Sequence, residues 1–537
     1  MARNRIIYAS QSVWCNGEVL YRVQSLGSTT TFTSEDIFEL GHLDIIDVVD
    51  DVPAVAVTLN TNDFGDVKTL ATLAQVSPAK AAMSATATST NGNLVVVSGT
   101  QLAETSTYLH GVSLADFSIV CGNLPGVTIW APVQDECSIG TLANNIDQTL
   151  FMDEVYVNSL EFSYTTGANA TENYGAETDN KMWLLNAGRF VNMDTFTFTT
   201  GSETSTTLSA GAYAVAELSS ANPGFLRKDD NGSPAVTWYD ASANEMVNVA
   251  VMTEAQVAAL AAAEEAAARA SKFVYNSTGH VITFPTGTTF GAGDRLEMLY
   301  AANGYGNTTE NTYFQVLDAT SRPDFLGALR QGQVAVYIVA NDAAEWDIAW
   351  RLTGCTISSD LTREPLSELG HLGPYDRPLT LPIPITVTVD STAGDLENWS
   401  KVANRLAEFD ADSLEDINLA DLMASEDLKL VVKVYAQTDE EAKGTGYVRT
   451  VRAGSDLIGQ NYWNNGVMGT YAAGDREYAL KTIIVEHLKI TDEGSTLDMG
   501  ANMTQTFGFR STNDLYVVKG DIDITHITGD YKVRRNG

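Results

Sequence analysis

The sequence predicts a mainly β protein: two tandem copies of one β domain, with an α+β segment inserted between them. Three observations carry that reading. Glu39-Leu40-Gly41-His42-Leu43 returns letter for letter as Glu368-Leu369-Gly370-His371-Leu372, an offset of 329. Segments far from that word agree at almost the same offset. Tyr21-Arg22-Val23 precedes the first word as Trp350-Arg351-Leu352 precedes the second, and Gly167-Ala168-Asn169-Ala170-Thr171 answers Gly500-Ala501-Asn502-Met503-Thr504, an offset of 333. Between these marks, apolar residues alternate with polar ones at period two, the pattern of strands with one buried face. A repeat of this length is a folded domain, far longer than a solenoid unit. The boundaries fall at residues 1–187, 188–332 and 333–537.

Along the chain, Arg5 to Tyr8 and Tyr21 to Val23 read as strands, matched by Val334 to Ile338 and Trp350 to Leu352. A polar Thr/Ser stretch and the repeated word follow in each copy. The long loop after the word is acidic in copy one (Asp44, Asp47, Asp50, Asp51) and Pro-rich in copy two (Pro374, Pro378, Pro382, Pro384), where it also holds Tyr375 and Arg377. Each loop ends in an alternating strand, Val55, Val57, Leu59 against Ile385, Val387, Val389. The strands match at an offset of 330 while their surroundings keep 329. A one-residue slip would turn the buried face outward, so a small indel or bulge is expected there.

Gly65-Asp66 and Gly394-Asp395 then each introduce a helix, weak over Val67 to Leu73 and clear over Leu396 to Leu406. Strands follow at Gly126 to Trp130 and Leu428 to Val432, and again at Val155 to Phe162 and Leu480 to Ile490. Gly167 and Gly500 sit between strand patterns and read as turn glycines with positive φ. Gly188 to Asn311 has no counterpart in copy two. It holds Thr253 as N-cap of an Ala/Glu-rich helix to Ala270, strands at Val281 to Phe284 and Leu296 to Tyr300, and a turn at Asp229-Asp230-Asn231-Gly232.

The net charge of −36 argues against nonspecific binding to nucleic acid or anionic membranes. It would suit a high-salt environment, and an acidic protein of an ordinary host equally. Met1 to Trp14 is interrupted by Tyr8, Ser10, Gln11 and Ser12, so no secretory leader is expected, and no segment approaches the ~18 apolar residues of a membrane span. Cys15, Cys121, Cys137 and Cys355 form no CxxC pair and read as buried thiols, with neither a disulfide framework nor a zinc site.

Catalysis finds little support. Of six histidines only His42 and His371 occupy equivalent places, which suggests one structural role used twice. No Gly-x-Ser-x-Gly, HExxH or Walker pattern stands where it would need to. Asn60 to Asp66 looks faintly like a calcium loop, but Phe64 takes a ligand position and Ala71 replaces the bidentate Glu, so a turn is expected. No metal or cofactor is expected. The charge distribution says more: no Lys or Arg stands between Lys80 and Lys181, an interval that includes Glu154, Glu161, Glu172, Glu177 and Asp179. The C-terminal Lys532, Arg534 and Arg535 have the opposite sign and could reach an acidic neighbouring subunit.

A polar segment into Glu-Leu-Gly, a long loop, an alternating strand, Gly-Asp and a short helix, then a strand, a Gly-Ala-Asn-x-Thr-Glu turn and Lys181-x-Trp183: this succession resembles the tail tube proteins of long-tailed double-stranded DNA viruses. The resemblance covers roughly Ala2 to Ala187 and Gln333 to Lys519. Copy two departs at Gln505, Asp514 and Tyr516, where copy one has Glu172, Lys181 and Trp183. The resemblance implies two tandem tail-tube-like β-sandwich or barrel domains, each with a flanking helix and a long loop. It implies three chains in a pseudo-hexameric ring, with rings stacked head to tail through the long loops. Asp44, Asp47, Asp50, Asp51, Tyr375 and Arg377 become candidates for the contact between rings. Glu154, Glu161, Glu172, Glu177 and Asp179 become candidates for an acidic lumen that lets DNA slide. Lys532, Arg534 and Arg535 become candidates for a ring contact. The implied partners are the chain itself, the terminator, baseplate or tape-measure proteins of the virion, and DNA in passage, with no membrane. The place is the virion tail, assembled in the host cytoplasm. A capsid decoration or baseplate ring protein, or an acidic archaeal surface-binding protein, would share the acidity and the β content; an enzyme is the weakest option.

Overall fold

A computed structural model describes residues 11–16, 18–20, 22–38, 40, 45–50, 52–62, 67–74, 94–96, 109–117, 126–134, 146–185, 189–208, 224–229, 232–240, 242, 245–277, 279–303, 334–340, 352–367, 369, 374, 377–392, 428–435, 449–450, 461–464, 467–470, 472, 476–477, 479–496, 503–519 and 532–534. Among them 65% are strand and 8% helix, so the chain is mainly β.

The first half contributes β1 (Val13–Cys15), β2 (Val23–Thr31), β3 (Ala54–Asn62), β4 (Leu109–Ser113), β5 (Val127–Gln134), β6 (Ile146–Thr165), β7 (Thr171–Thr178) and β8 (Asn180–Leu185). The second half contributes β9 (Val334–Ala340), β10 (Leu352–Asp360), β11 (Pro384–Ser391), β12 (Leu428–Tyr435), β13 (Ala479–Thr496), β14 (Thr504–Thr512) and β15 (Leu515–Lys519). One antiparallel sheet runs through both halves in the order β2-β3-β7-β6-β10-β11-β14-β13. The first four strands and the last four follow the same sequence of pairings.

The pairings agree in register as well as order. Leu26 faces Leu59 and Cys355 faces Val389, positions that correspond at the offsets read from the sequence. The bulge between Val23 and Ser25 has its counterpart between Leu352 and Gly354, and that between Val157 and Ser159 between Ile490 and Asp492. Glu154 and His487, at matching places in β6 and β13, both have φ 52°. That left-handed kink is where each long strand bends out of the shared sheet. Gly175 and Gly508 also match: a Cβ at either would lie within 2.3 Å of the Ser159 or Asp492 side chain that crosses it.

Beyond the kinks, the first parts of β6 and β13 build a second layer. β1-β5-β6-β8 forms it in the first half and β9-β12-β13-β15 in the second. The strands that belong to both layers give a nearly closed barrel-like sheet. One continuous core fills it, from Val55, Val57 and Leu59 to Ile385, Val387, Val389, Phe507 and Phe509. The alternation read from the sequence therefore holds in both strands. The expected one-residue indel lies before the second of them. The bridge Arg363↔Leu379 keeps the offset of Ser34↔Asp50, so the extra residue falls within 380–383, opposite 51–53.

The helix expected after Val67 spans Lys68–Leu73 and buries Leu70, Ala71 and Leu73. Its expected partner at Leu396 to Leu406 lies outside the described residues, as do Arg5 to Tyr8 and Gly500. Gly167 has φ 81° in its turn, as read. The segment between the halves is a separate sheet of strands Arg189–Thr197, Arg295–Asn303, Pro234–Asp240, Glu245–Thr253, Phe273–Asn276, Val281–Thr283 and Ser205–Thr207, in that order, with Arg227–Lys228 beside Pro234–Asp240. Its single expected helix is two, Glu254–Ala258 and Ala262–Ser271. Leu260 N–H bonds Val257 and Ala261 turns extended, while the Glu264 carboxylate accepts from Ala261 N–H, so a second helix start is built inside an alanine run that carries no sequence stop.

This inserted sheet packs on the first half. Trp14, Trp130 and Phe151, on the face of β1, β5 and β6 opposite the main core, share a second core with Phe198, Phe225, Phe273 and Tyr300. Arg227 reaches the same face with its Nη1 3.0 Å from Glu297 and its Nε 3.8 Å from Asp153. The matching place in the second half is closed from within its own sheet, by Lys429 on Glu486 at 3.3 Å.

Candidate functional site: open sheet edges and the seam between halves

The shared sheet ends abruptly at both sides. Among the described residues no strand pairs with the outer edge of β2, nor with the outer edge of residues 489–496 of β13. The equivalent edges inside the chain are joined: β6 pairs with β10 from Ser159↔Asp360 to Thr165↔Gly354. Burial follows the pairing. β10 buries Gly354, Cys355, Ile357 and Ser359, whereas its match β2 has no buried residue. Open edges of this length invite pairing with another chain. A similar asymmetry marks β8 and β15. β15 carries the first-half strand β4 on its outer edge, and its Tyr516 is 7% exposed. The matching Trp183 on β8 is 50% exposed.

The seam between the halves holds three ion pairs, made by two cations. Lys481 Nζ lies 2.5 Å from Glu172 and over the Phe162 ring, and both charged side chains are buried. Arg377 donates to Glu177 at 2.7 Å and to Asp179 at 2.6 Å. Arg363 adds hydrogen bonds to the carbonyls of Val157, Phe117 and Arg377.

These contacts revise several sequence readings. Arg377 is not free for a contact between rings, because first-half carboxylates hold it within the chain. Glu177 and Asp179 share that one guanidinium. Glu172 is on the core face of β7 with Tyr174, one residue out of phase with the polar face, and is closed off from solvent. Glu161 is half-buried and accepts from Asn173. It stands on the polar face of the shared sheet, where Thr58, Asn60, Ser159, Glu161, Asn173 and Asp360 line a shallow groove of about 430 Å³. Glu154 reaches the surface at the kink of β6. The packed residues around it, and then Asp153, raise its carboxyl above the usual range, against the pull of Arg227.

Asp47 and Asp50 bound a strand that pairs with Ser34–Ile37 in an exposed hairpin. Ile37, Phe38, Ile45, Ile46, Val48 and Val49 are all exposed on it, an apolar surface of the kind that marks an interaction site. Asp44, Asp51 and Tyr375 lie outside the described residues. Lys532 and Arg534 belong to a short strand paired with Leu94–Val96, and Arg535 lies outside the described residues. Cys355 is buried, and that burial, with Asp390 beside it, pushes its thiol up to about 12, which makes it inert at neutral pH. Among the described residues no three His, Cys, Asp or Glu side chains gather as a metal site would need, and no helix is long and apolar enough to cross a membrane.

Sequence reading missed Lys481 and Arg227. A signal for Lys481 existed: copy one has Gln148 where copy two has Lys481, and Glu172 where copy two has Gln505, so the charges appear and vanish together. The fold defines a mainly β chain with a barrel-like sheet that, among the described residues, has two unpaired edges. No known protein family matches the chain, and no curated protein matches it.

Proposed function

We propose that this chain is a structural virion protein that builds a viral tail tube. Three chains, each a duplicated tube domain, close a ring of six similar β units, and rings stack into a conduit for genomic DNA. The observation that carries the reading is the seam β6–β10 and its two unused counterparts. Pairing β13 of one chain with β2 of the next repeats, between chains, the contact already made within one. Eight strands from each of three chains would then form a continuous barrel with no edge left open. The count of three rests on the resemblance to tail tube proteins.

The polar face of the shared sheet is the natural lumen. Hydroxyls and amides line most of it, with Glu161, Asp360, Asp390 and Asp492 among its acids, while Lys489 and Arg510 stand side by side near one open edge. The inserted sheet sits behind the second layer, on the side away from that face, and would decorate the outside of the tube. The exposed apolar hairpin at residues 34–50 supplies a surface for the next ring, so that two different faces per ring give an open-ended filament.

Electron microscopy of the purified protein in high and low salt tests this, with the rotational symmetry of end-on views as the readout. Hollow rings or tubes of true threefold and near-sixfold symmetry are expected. Six full chains per ring would keep the tube and discard the pseudo-hexamer. Solid or closed particles would move the assignment to a capsid decoration or a surface-binding protein.

A further inference from the structure

The seam within the chain shows what the contact between chains must contain. Each of its charged residues has a counterpart at the open edges, fixed by the matching registers. Glu177 and Asp179 on the first half correspond to Arg510 and Thr512 on β14. Arg377, which they hold, corresponds to Val48, in the strand bounded by Asp47 and Asp50. The polarity is therefore reversed. Inside the chain the strand is acidic and the incoming segment basic; at the open edge the strand carries Arg510, exposed, and the incoming segment carries aspartates. The second pair of the seam changes in step. Glu172 and Lys481 correspond to Gln505 and Gln148, so a buried ion pair becomes a neutral amide pair.

We propose that chains join by this inverted contact: Arg510 of one copy pairs with Asp47 or Asp50 of the next, and Gln505 meets Gln148 behind it. The inference rests on the ring reading and adds a rule to it, that the two halves must alternate. A first half docked on another first half would set Glu177 and Asp179 against Asp47 and Asp50, and leave Glu172 buried without Lys481. A second half docked on another second half would set Arg510 against Arg377, and bury Lys481 opposite Gln505. Both errors combine like-charge repulsion with an unpaired buried charge, and only alternation avoids them.

Charge reversal in the full-length chain tests the rule. Assembled and free protein are separated by sedimentation for wild type, Arg510→Glu, the double change Asp47→Arg with Asp50→Arg, and all three changes together, with circular dichroism to establish that each chain is folded. Arg510→Glu and the double change should each raise the concentration needed for assembly about tenfold or more, and the triple change should recover most of that loss. The differences should shrink in high salt, where contacts near the surface are screened. Wild-type rings with Arg510→Glu assembling equally well would overturn the inverted contact and leave the ring reading standing. Folded single variants that fail to assemble, with no recovery in the triple, would also overturn it. A wild type that forms no ring under any condition would remove the ring reading, and this rule with it.

Discussion

At the scale of single residues, the seam depends on a charge pair that water does not reach. Lys481 is fully buried and its partner Glu172 nearly so, which makes removal of one member far more damaging than removal of both. Lys481→Gln is expected to destabilise the chain by about 3–5 kcal/mol, because it strands a carboxylate inside the core. The double change Glu172→Gln with Lys481→Gln reproduces the amides at the matching positions and should recover most of that loss, as read by urea unfolding. Glu154 offers the opposite case. It holds a left-handed conformation that costs an ordinary L-residue about 1 kcal/mol and suits asparagine better. Its carboxyl is also raised in the folded state. The folded chain thus carries a penalty above the folded value, where both states are ionised, and loses it below the unfolded value of 4.5, where both are protonated. Glu154→Asn should raise the Tm at pH 7, and the gain should shrink toward its backbone part as the pH falls through 4.5.

At the scale of elements, the register of the seam specifies the register of the missing pairing. Phe162 faces Ile357 across β6–β10. The matching residues are Ser495 on β13 and Ser28 on β2, which sit directly opposite each other if the open edges join as the closed ones do. A chain carrying Ser28→Cys and Ser495→Cys should crosslink to its neighbours on mild oxidation and run as dimers and trimers in a denaturing gel, whereas either single change should stay monomeric. Crosslinking that succeeds only with Ser495 moved by one position would mean a slipped register. How much of this was legible beforehand differs from element to element. Strands β3 and β11 were plain in the sequence, because their alternation is unbroken and their offset constant. The indel was legible as a mismatch of one residue but not its place, which only the bridge at Arg363 fixes. The break in the alanine-rich helix was hidden, since every residue around Ala261 favours helix. The lumen assignment failed at Glu172 on strand parity: it shares the core face of β7 with Tyr174, Ala176 and Thr178, one residue out of step with Glu177 on the polar face.

At the scale of the whole molecule, a net charge of −36 works against the two sheet edges that no described residue covers. The edges favour association and the charge opposes it, so free chains are kept from pairing indiscriminately while a specific contact can still form. The insert adds a second asymmetry. It covers Trp14, Trp130 and Phe151 on one half only, so a threefold ring would carry three outward lobes around a wall of six similar units. The joined seam β6–β10 has a kinetic consequence of its own. Half of the contacts in such a ring are made when the chain folds, at the high effective concentration of a single molecule. Closure then requires three bodies to meet instead of six. The formation rate would accordingly depend much less steeply on the amount of protein present, and a tube could keep growing from a dilute pool of subunits.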